Sequence, residues 1–228
     1  MEIPKILHQT WKNEEIPKHL SIMSSTWEEY HPDWQYCFWT DEACLEFISE
    51  NFPGLLQNYL DFPANIQRAD LFRYLVLFKF GGVYVDMDFE CFQNLESLLT
   101  GDVCTISIEP PAHCAMHKIP DLLCNAFLAS IPEHPFIGLL IKESIKPLKP
   151  TPNKILDVLN STGPYMVTRV YQQHRDKLEL RIIDPKYVYP LSSEEVDVLL
   201  NDEMVPAELQ TKLNEAVALH YWLNSWVT

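Results

Sequence analysis

The 228-residue chain is poor in glycine, in basic residues and in long apolar runs. Its six glycines fall in no GxGxxG, GxxxxGK[ST] or GxSxG pattern. That argues against a dinucleotide site of the usual kind, a P-loop and a serine-hydrolase elbow. Seventeen Lys and Arg stand against 32 Asp and Glu, a formal charge of −15. Such a surface repels phosphate backbones and anionic lipids, which speaks against a nucleic-acid binder or a general membrane-surface binder. It leaves room for a nucleotide held through a divalent cation, because the ion supplies the positive charge. No stretch reaches the roughly 18 apolar residues of a spanning helix, and MEIPKILHQTW lacks the apolar core of a signal peptide. A soluble, cytoplasmic protein without a transmembrane segment is therefore expected. Cys37, Cys44, Cys91, Cys104, Cys114 and Cys124 form no CxxC pair and read as core thiols of a reducing compartment. A zinc site assembled from Cys104, His113, Cys114, His117 and Cys124 matches no strong spacing.

What is present points to one well-buried α/β domain over residues 1–228: 47% of residues are hydrophobic and 12% aromatic. PKILHQTW reads as a first strand, Leu20, Met23 and Trp27 sit at helical spacing, and WQYCFW reads as a second strand. Thr40 or Asp41 is placed to cap the following helix. ANIQRADLFRYLVLFKF predicts a largely buried helix stopped by Gly81 in a left-handed conformation. VYVDM then predicts a short strand that meets acid at its end. Further on, DVCTISIE reads as a strand, EPPAHCAMHKIP as a loop, LLCNAFLAS as a strand or short helix, and HPFIGLLIKESI as a helix. NSTGPYMVTRVYQQH reads as a Gly-Pro turn into a helix, LRIIDPKYVYP as edge-strand pieces, and the stretch from Glu194 to Glu208 as an acidic loop.

Asp86 and Asp88 lead the candidates for chemistry. On a strand, positions 86 and 88 face one side, so a central strand would bury a like-charge pair unless a cation compensates. Mg²⁺ or Mn²⁺ held by one or two carboxylates and substrate phosphates resolves that conflict; a solvated strand end entering a turn is the alternative. Asp70 and Arg73 are i,i+3 neighbours on the buried helix, either a simple ion pair or groups aimed at a pocket, where arginine suits a diphosphate and aspartate a sugar hydroxyl. His8, Thr10 and Trp11 lie at the end of the first strand, where a nucleotide base could stack on the indole unless Trp11 is a core residue. His220, Asn224, Ser225 and Trp226 form either a packed C-terminal helix or a tail that closes over a ligand and brings an imidazole to a metal.

The segments IPKILHQTWK, HPDWQYCFWTD, NIQRADLFRYLVLFKFGGVYVDMD, Asn125 with EHPF, STGP and HYWLNSW occur in order along nearly the whole chain. In this combination the chain resembles the DxD-containing retaining glycosyltransferases of the GT-A fold. That family, glycosyltransferase family 32, includes initiating α-1,6-mannosyltransferases, inositol-phosphoceramide mannosyltransferases and capsular sugar transferases. The resemblance implies a single Rossmann-like mixed sheet flanked by helices, with a nucleotide-sugar half over about 1–100 and an acceptor and closing half over about 101–228. It implies transfer of mannose, galactose or glucose from GDP-mannose, UDP-galactose or UDP-glucose to a glycan or glycolipid hydroxyl, with peripheral membrane contact.

By the same resemblance Asp86, Asp88 and His220 would hold Mn²⁺ or Mg²⁺, and Asp70, Arg73 and Asp88 would act in catalysis. His8, Thr10, Trp11, Tyr84, Asn125, Gly163, Ser225 and Trp226 would complete the donor pocket with Asp70, Arg73 and Asp86, Pro164 lying beside Gly163. Tyr221 stands where many members have a second histidine, so His220 is the one metal ligand expected in the tail. A nucleotide-sugar-binding protein without turnover, a sugar-binding module without metal, and a two-aspartate phosphatase are the competing readings. The last normally needs its DxD motif near the chain start.

Overall fold

The computed structural model describes residues 2–147, 149–202 and 204–223. The chain opens with β1 (Ile6–Thr10), α1 (Lys18–Tyr30), β2 (Gln35–Trp39) and α2 (Asp41–Asn51). α3 (Leu56–Asp61) and α4 (Asn65–Phe80) lead into β3 (Gly82–Val85), β4 (Phe89–Cys91) and α5 (Glu96–Leu99). β5 (Cys104–Ile108), α6 (Pro111–His117), β6 (Leu123–Ser130) and α7 (Pro135–Ser144) follow. The chain continues through α8 (Lys154–Ser161), α9 (Pro164–His174), β7 (Arg181–Ile183), α10 (Ser193–Asn201), α11 (Ala207–Glu215) and β8 (Ala218–His220).

Six strands form one mixed sheet in the order β2-β1-β3-β6-β5-β7, and β4 pairs with β8 in a separate antiparallel ribbon. β1, β2 and β3 run parallel, while β6 is antiparallel to both β3 and β5. Side-chain alternation on β3 supplies both faces. Val83 and Val85 join Leu7, Trp27 and Phe127 in one core, and Tyr84 joins Leu75, Leu128 and Phe136 in the other. No helix among the described residues is long and apolar enough to cross a membrane.

α4 is the central helix of the second core. Its sixteen residues contain neither proline nor glycine, and every residue from Leu71 to Leu77 is buried. Each fully buried leucine or phenylalanine contributes about 1.5–3 kcal/mol of transfer free energy. The helix stops at Gly81, whose amide donates to Leu77 O at 2.8 Å. Gly81 has φ +67° but ψ −159°, so the stop uses a positive φ outside the left-handed helical well that the sequence suggests. A Cβ there would lie 2.7 Å from Pro132, and at Gly82 (φ +96°) one would lie 2.4 Å from Ile6 O. Only glycine fits where β3 is drawn against β1.

Three local expectations are corrected. EPPAHCAMHKIP contains α6, because Pro111 occupies the first helical turn, where a missing amide costs nothing. The acidic stretch from Glu194 to Glu208 is helical as far as Asn201 and again from Ala207: Ser192 and Glu195 form a reciprocal capping box, and Glu194 and Glu195 favour the positive end of the α10 dipole. Asp86 and Asp88 are not on a strand, since β3 ends at Val85 and both carboxylates lie in the turn before β4. The ambiguous LLCNAFLAS is the strand β6, and the tail reaches β8 as a strand rather than a helix.

Candidate active site

One turn of α4 places Asp70, Arg73 and Tyr74 on the same face at i, i+3 and i+4. All three are buried. Arg73 Nη1 donates to Asn125 O at 2.5 Å, and Nη2 donates to Asp86 Oδ1 at 2.8 Å and lies 3.5 Å from Asp70 Oδ1. Its guanidinium sits 4.5 Å from the centre of the Tyr84 ring. Asp70 accepts from Asn125 Nδ2 at 2.8 Å on one oxygen and from Thr162 Oγ1 at 2.7 Å on the other. Asn125 Nδ2 also donates to the Tyr74 hydroxyl at 2.8 Å, and that hydroxyl donates to Thr162 O at 2.6 Å. Burial pushes the Asp70 carboxyl above the usual carboxylate range, against the pull of Arg73, Thr162 and Asn125.

In front of this network the Asp86 amide still donates to Ala126 O at 3.0 Å, extending the β3–β6 ladder by one residue before the chain turns. The ribbon then sets Phe89 opposite His220, which brings His220 Nε2 to 3.0 Å from Asp88 Oδ1. Asp88 Oδ2 accepts from Leu223 N at 3.0 Å, and Asp88 O accepts from Tyr221 N at 2.9 Å. One ligand atom from each of Asp86, Asp88 and His220 lies within 4.8 Å of the others.

Charge in this cluster is unevenly shared. Burial, reinforced by Asp88, pushes the Asp86 carboxyl up to about 6 although Arg73 opposes it. Burial also disfavours charge at Asp88, but His220 and the Leu223 amide outweigh it and hold this carboxyl below its ordinary value. Burial alone would lower His220; Asp88, then Asp86 and Glu109, raise it instead. His220 Nδ1 is buried and has no hydrogen-bond partner among the described residues.

A cavity of about 890 Å³ opens over the cluster. Arg73, Tyr84, Asp86, Asp88 and His220 form one wall. Thr10 at the end of β1, Trp11 and Lys12 just beyond it, and Asp41 line the cavity as well. The Thr10 hydroxyl is 2.9 Å from that of Tyr84, and Trp11 Nε1 is buried without a partner among the described residues.

Other expected residues lie elsewhere. His8 is fully buried, accepting from Trp39 Nε1 at 3.2 Å on Nδ1 and meeting Gly81 O at 3.0 Å through Nε2. It is two residues short of the end of β1, so the strand itself seals it from the crevice. Asp70 and Asn125 stand behind Arg73 rather than on the cavity wall, because Thr162 and Tyr74 complete their hydrogen bonding. Gly163 is not on the wall either; its amide is spent on Val158 O as α8 gives way to α9. Asn224, Ser225 and Trp226 lie outside the described residues.

Thr162 and the Leu223 amide were not expected. The polar STGP run signals the first, since a threonine before Gly-Pro has a hydroxyl to place. A backbone amide leaves no mark in a sequence.

Residues 17–104 match the family described as the glycosyltransferase sugar-binding region containing the DXD motif. Inositol phosphoceramide mannosyltransferase 2 of Schizosaccharomyces pombe is 35% identical over 176 residues, covering 77% of this chain and 48% of that protein. Mannosyl phosphorylinositol ceramide synthase SUR1 of Saccharomyces cerevisiae is 32% identical over 190 residues, covering 81% of this chain and 47% of its own. This chain thus spans about half the length of these curated relatives. The UDP-bound glycosyltransferase domain from the YGT toxin superposes with a TM-score of 0.56 at 10% identity, over 94% of this chain and 89% of that one. At that identity the likeness speaks for the GT-A fold alone.

Proposed function

Since the chain belongs, through residues 17–104, to the DXD-containing glycosyltransferases, we propose that it moves a hexose from a nucleotide diphosphate sugar to a glycolipid or glycan hydroxyl with the help of a divalent cation. The observation that carries the reading is the meeting of Asp86, Asp88 and His220 in one cavity that Arg73 and Trp11 also line. The relatives' names favour mannose as the sugar and a phosphoinositol ceramide as the first acceptor to try.

Two carboxylates and an imidazole suit Mn²⁺ or Mg²⁺, and the His220 Nδ1 that no described residue partners and the crowded carboxylates fit such a cation. Asp86 and Asp88, with His220 beside them, would hold the ion, which when bound neutralises charge on a diphosphate leaving group. Arg73 adds a fixed positive charge at the same wall, held in place from behind by Asp70 and Asn125. Trp11 offers an indole face to the base, and Lys12 offers charge to the phosphates. Retention places the acceptor oxygen on the face that the phosphate leaves. The anomeric C–O bond to phosphate breaks, the acceptor O–C bond forms, and the acceptor proton passes to the departing phosphate oxygen.

The test is a thermal-shift and donor-hydrolysis screen of GDP- and UDP-sugars with and without Mn²⁺, followed by an acceptor panel that includes phosphoinositol ceramide. Metal-dependent stabilisation and sugar release by one donor class are expected. Stabilisation without any turnover would reduce the reading to a nucleotide-sugar binder, and no metal-dependent response to any donor would overturn it.

A further inference from the structure

Trp222 has φ +53°, a left-handed conformation that a bulky side chain adopts only when its surroundings impose it. The indole Nε1 donates to Leu191 O at 3.0 Å, and the next amide, Leu223 N, reaches Asp88. Two imidazoles and the Tyr189 ring pack against the indole. His220 meets it at 4.2 Å between ring centres, inclined at 65°, and His113 meets it at 4.5 Å, inclined at 75°.

His113 is itself held from two sides. Its Nδ1 is 3.0 Å from Glu109 Oε2, just past the end of β5. Its Nε2 accepts from Ser193 N at 3.0 Å, at the first residue of α10. An amide can only donate, so Nε2 is bare and the ring proton sits on Nδ1, directed at Glu109. The Ser193 hydroxyl lies 3.0 Å from the same Nε2 and 3.3 Å from Glu194 Oε2. A nitrogen already occupied by the Ser193 amide is a cap for the helix, not a base poised over a nucleophile.

His220 is less constrained. Among the described residues its side chain makes one hydrogen bond, from Nε2 to Asp88, and Nδ1 adds no second anchor. Ring packing supplies the rest: Phe89 stacks on the imidazole at 4.6 Å, Trp222 meets it edge-on at 4.2 Å, and Tyr189 meets it edge-on at 5.8 Å.

We propose that His113, clamped by Glu109 and Ser193, is a positioning residue that fixes the His220 imidazole through the indole of Trp222. Its consequence for metal binding rests on the proposed function, whereas its effect on the His220 ring does not. Supports one layer behind a metal ligand typically change metal affinity by about 10–100-fold when removed.

Two substitutions separate ring packing from hydrogen bonding. His113→Phe keeps a ring edge against Trp222 and gives up both hydrogen bonds; His113→Gln keeps polar partners for Glu109 and Ser193 and gives up the ring. The readouts are the His220 imidazole resonances in metal-free, ¹⁵N-histidine-labelled protein, assigned with His220→Gln, and the Mn²⁺ dissociation constant. His113→Gln is expected to displace the His220 signals and raise the Mn²⁺ Kd about tenfold, and His113→Phe to keep both near wild type although it melts lower. A purely structural role gives the opposite ranking, with both readouts following thermal stability, and would overturn the proposal. Trp222→Leu should reproduce the His113→Gln change, and the double variant should go no further; additive changes would equally sink it. Wild-type protein that binds no Mn²⁺ would remove the proposed function and leave the His220 resonances to decide this inference.

Discussion

Two polar regions meet at Arg73 and are built on opposite principles. Behind it, among the described residues, Asp70, Tyr74, Asn125 and Thr162 leave no buried side-chain atom unpaired, although Arg73 Nε itself has no partner. In front, His220 Nδ1 and Trp11 Nε1 are buried without partners among the described residues, and Asp86 and Asp88 are driven in opposite directions from the ordinary carboxylate value. A satisfied buried network rigidifies its surroundings, whereas an underpaired one keeps interaction capacity in reserve. The rear region is a scaffold for Arg73, and the front region has the features of a ligand site. Substitutions in the rear should therefore act on stability, and those in front on binding and turnover.

The largest expected effect lies in front. Asp88→Asn removes the carboxylate to which His220 and the Leu223 amide both attach. Sugar transfer should fall by roughly 10³-fold, the scale on which removal of a preorganised electrostatic group is felt. The melting temperature should move by only a few degrees, since an amide retains one acceptor and the site is open to the cavity. Wild-type turnover and metal dependence in Asp88→Asn would erase the distinction between the regions.

In the rear, Asp70→Ala strips Arg73 of one carboxylate and leaves Thr162 Oγ1 and one Asn125 donor bond unmade. Breaking one side of a buried charge pair costs about 3–5 kcal/mol, and urea unfolding should show a loss of this size. Unchanged stability would mean that the rear network is not the scaffold its hydrogen bonding describes.

His8 tests whether the interior just below the cavity is sealed. Burial lowers its pKa from 6.5 to about 4, although the hydrogen bond to Gly81 O resists. A folded-state pKa below the unfolded one means the unfolded chain takes up the proton first. The resulting stability is complete above pH 6.5 and disappears as pH falls through about 4. A displacement of this size is worth about 3 kcal/mol. His31 and His134, also lowered chiefly by burial, act in the same direction. Chemical unfolding from pH 7 to 4 should show this acid limb, and His8→Gln should flatten it. An equally steep limb in His8→Gln would show that His8 is open to water in the folded state.

α4 was legible because seventeen residues from Ala64 to Phe80 offer no breaker and the next two are glycines, so helix, stop and strand follow from local chemistry. The approach of Asp70 and Arg73 to Asp86 follows from the same run. What escaped reading depends on distant partners. β8 exists only because β4 pairs with it across more than a hundred residues, and that pairing carries His220 to Asp88. His8 and His220 are both buried histidines in short strands. Only the three-dimensional rim distinguishes the one sealed below it from the one at the cavity. α6 and α10 were hidden for a different reason: Pro-Pro and acidic clusters signal loops, yet the same residues are favourable in a first helical turn.

The smallest effect discriminates most finely between the regions. Trp11 lines the cavity, and its Nε1–H is a buried donor that no described residue accepts. An unmade buried hydrogen bond works against the folded state, so deleting the donor offsets part of the packing lost with the smaller ring. Trp11→Phe should therefore change unfolding stability by less than about 1 kcal/mol, well below the loss expected at Asp70. If that N–H or the indole face is kept for a ligand, nucleotide affinity should fall by a larger margin. Loss of base stacking on an aromatic ring is commonly worth about 1–3 kcal/mol per base, or about 5- to 150-fold in Kd. Calorimetric titration of nucleotide diphosphate with Mn²⁺ into both proteins reads that margin. A Trp11→Phe protein that loses several kcal/mol of stability and binds nucleotide as wild type does would place Trp11 with the scaffold and move the boundary between the two regions into the cavity.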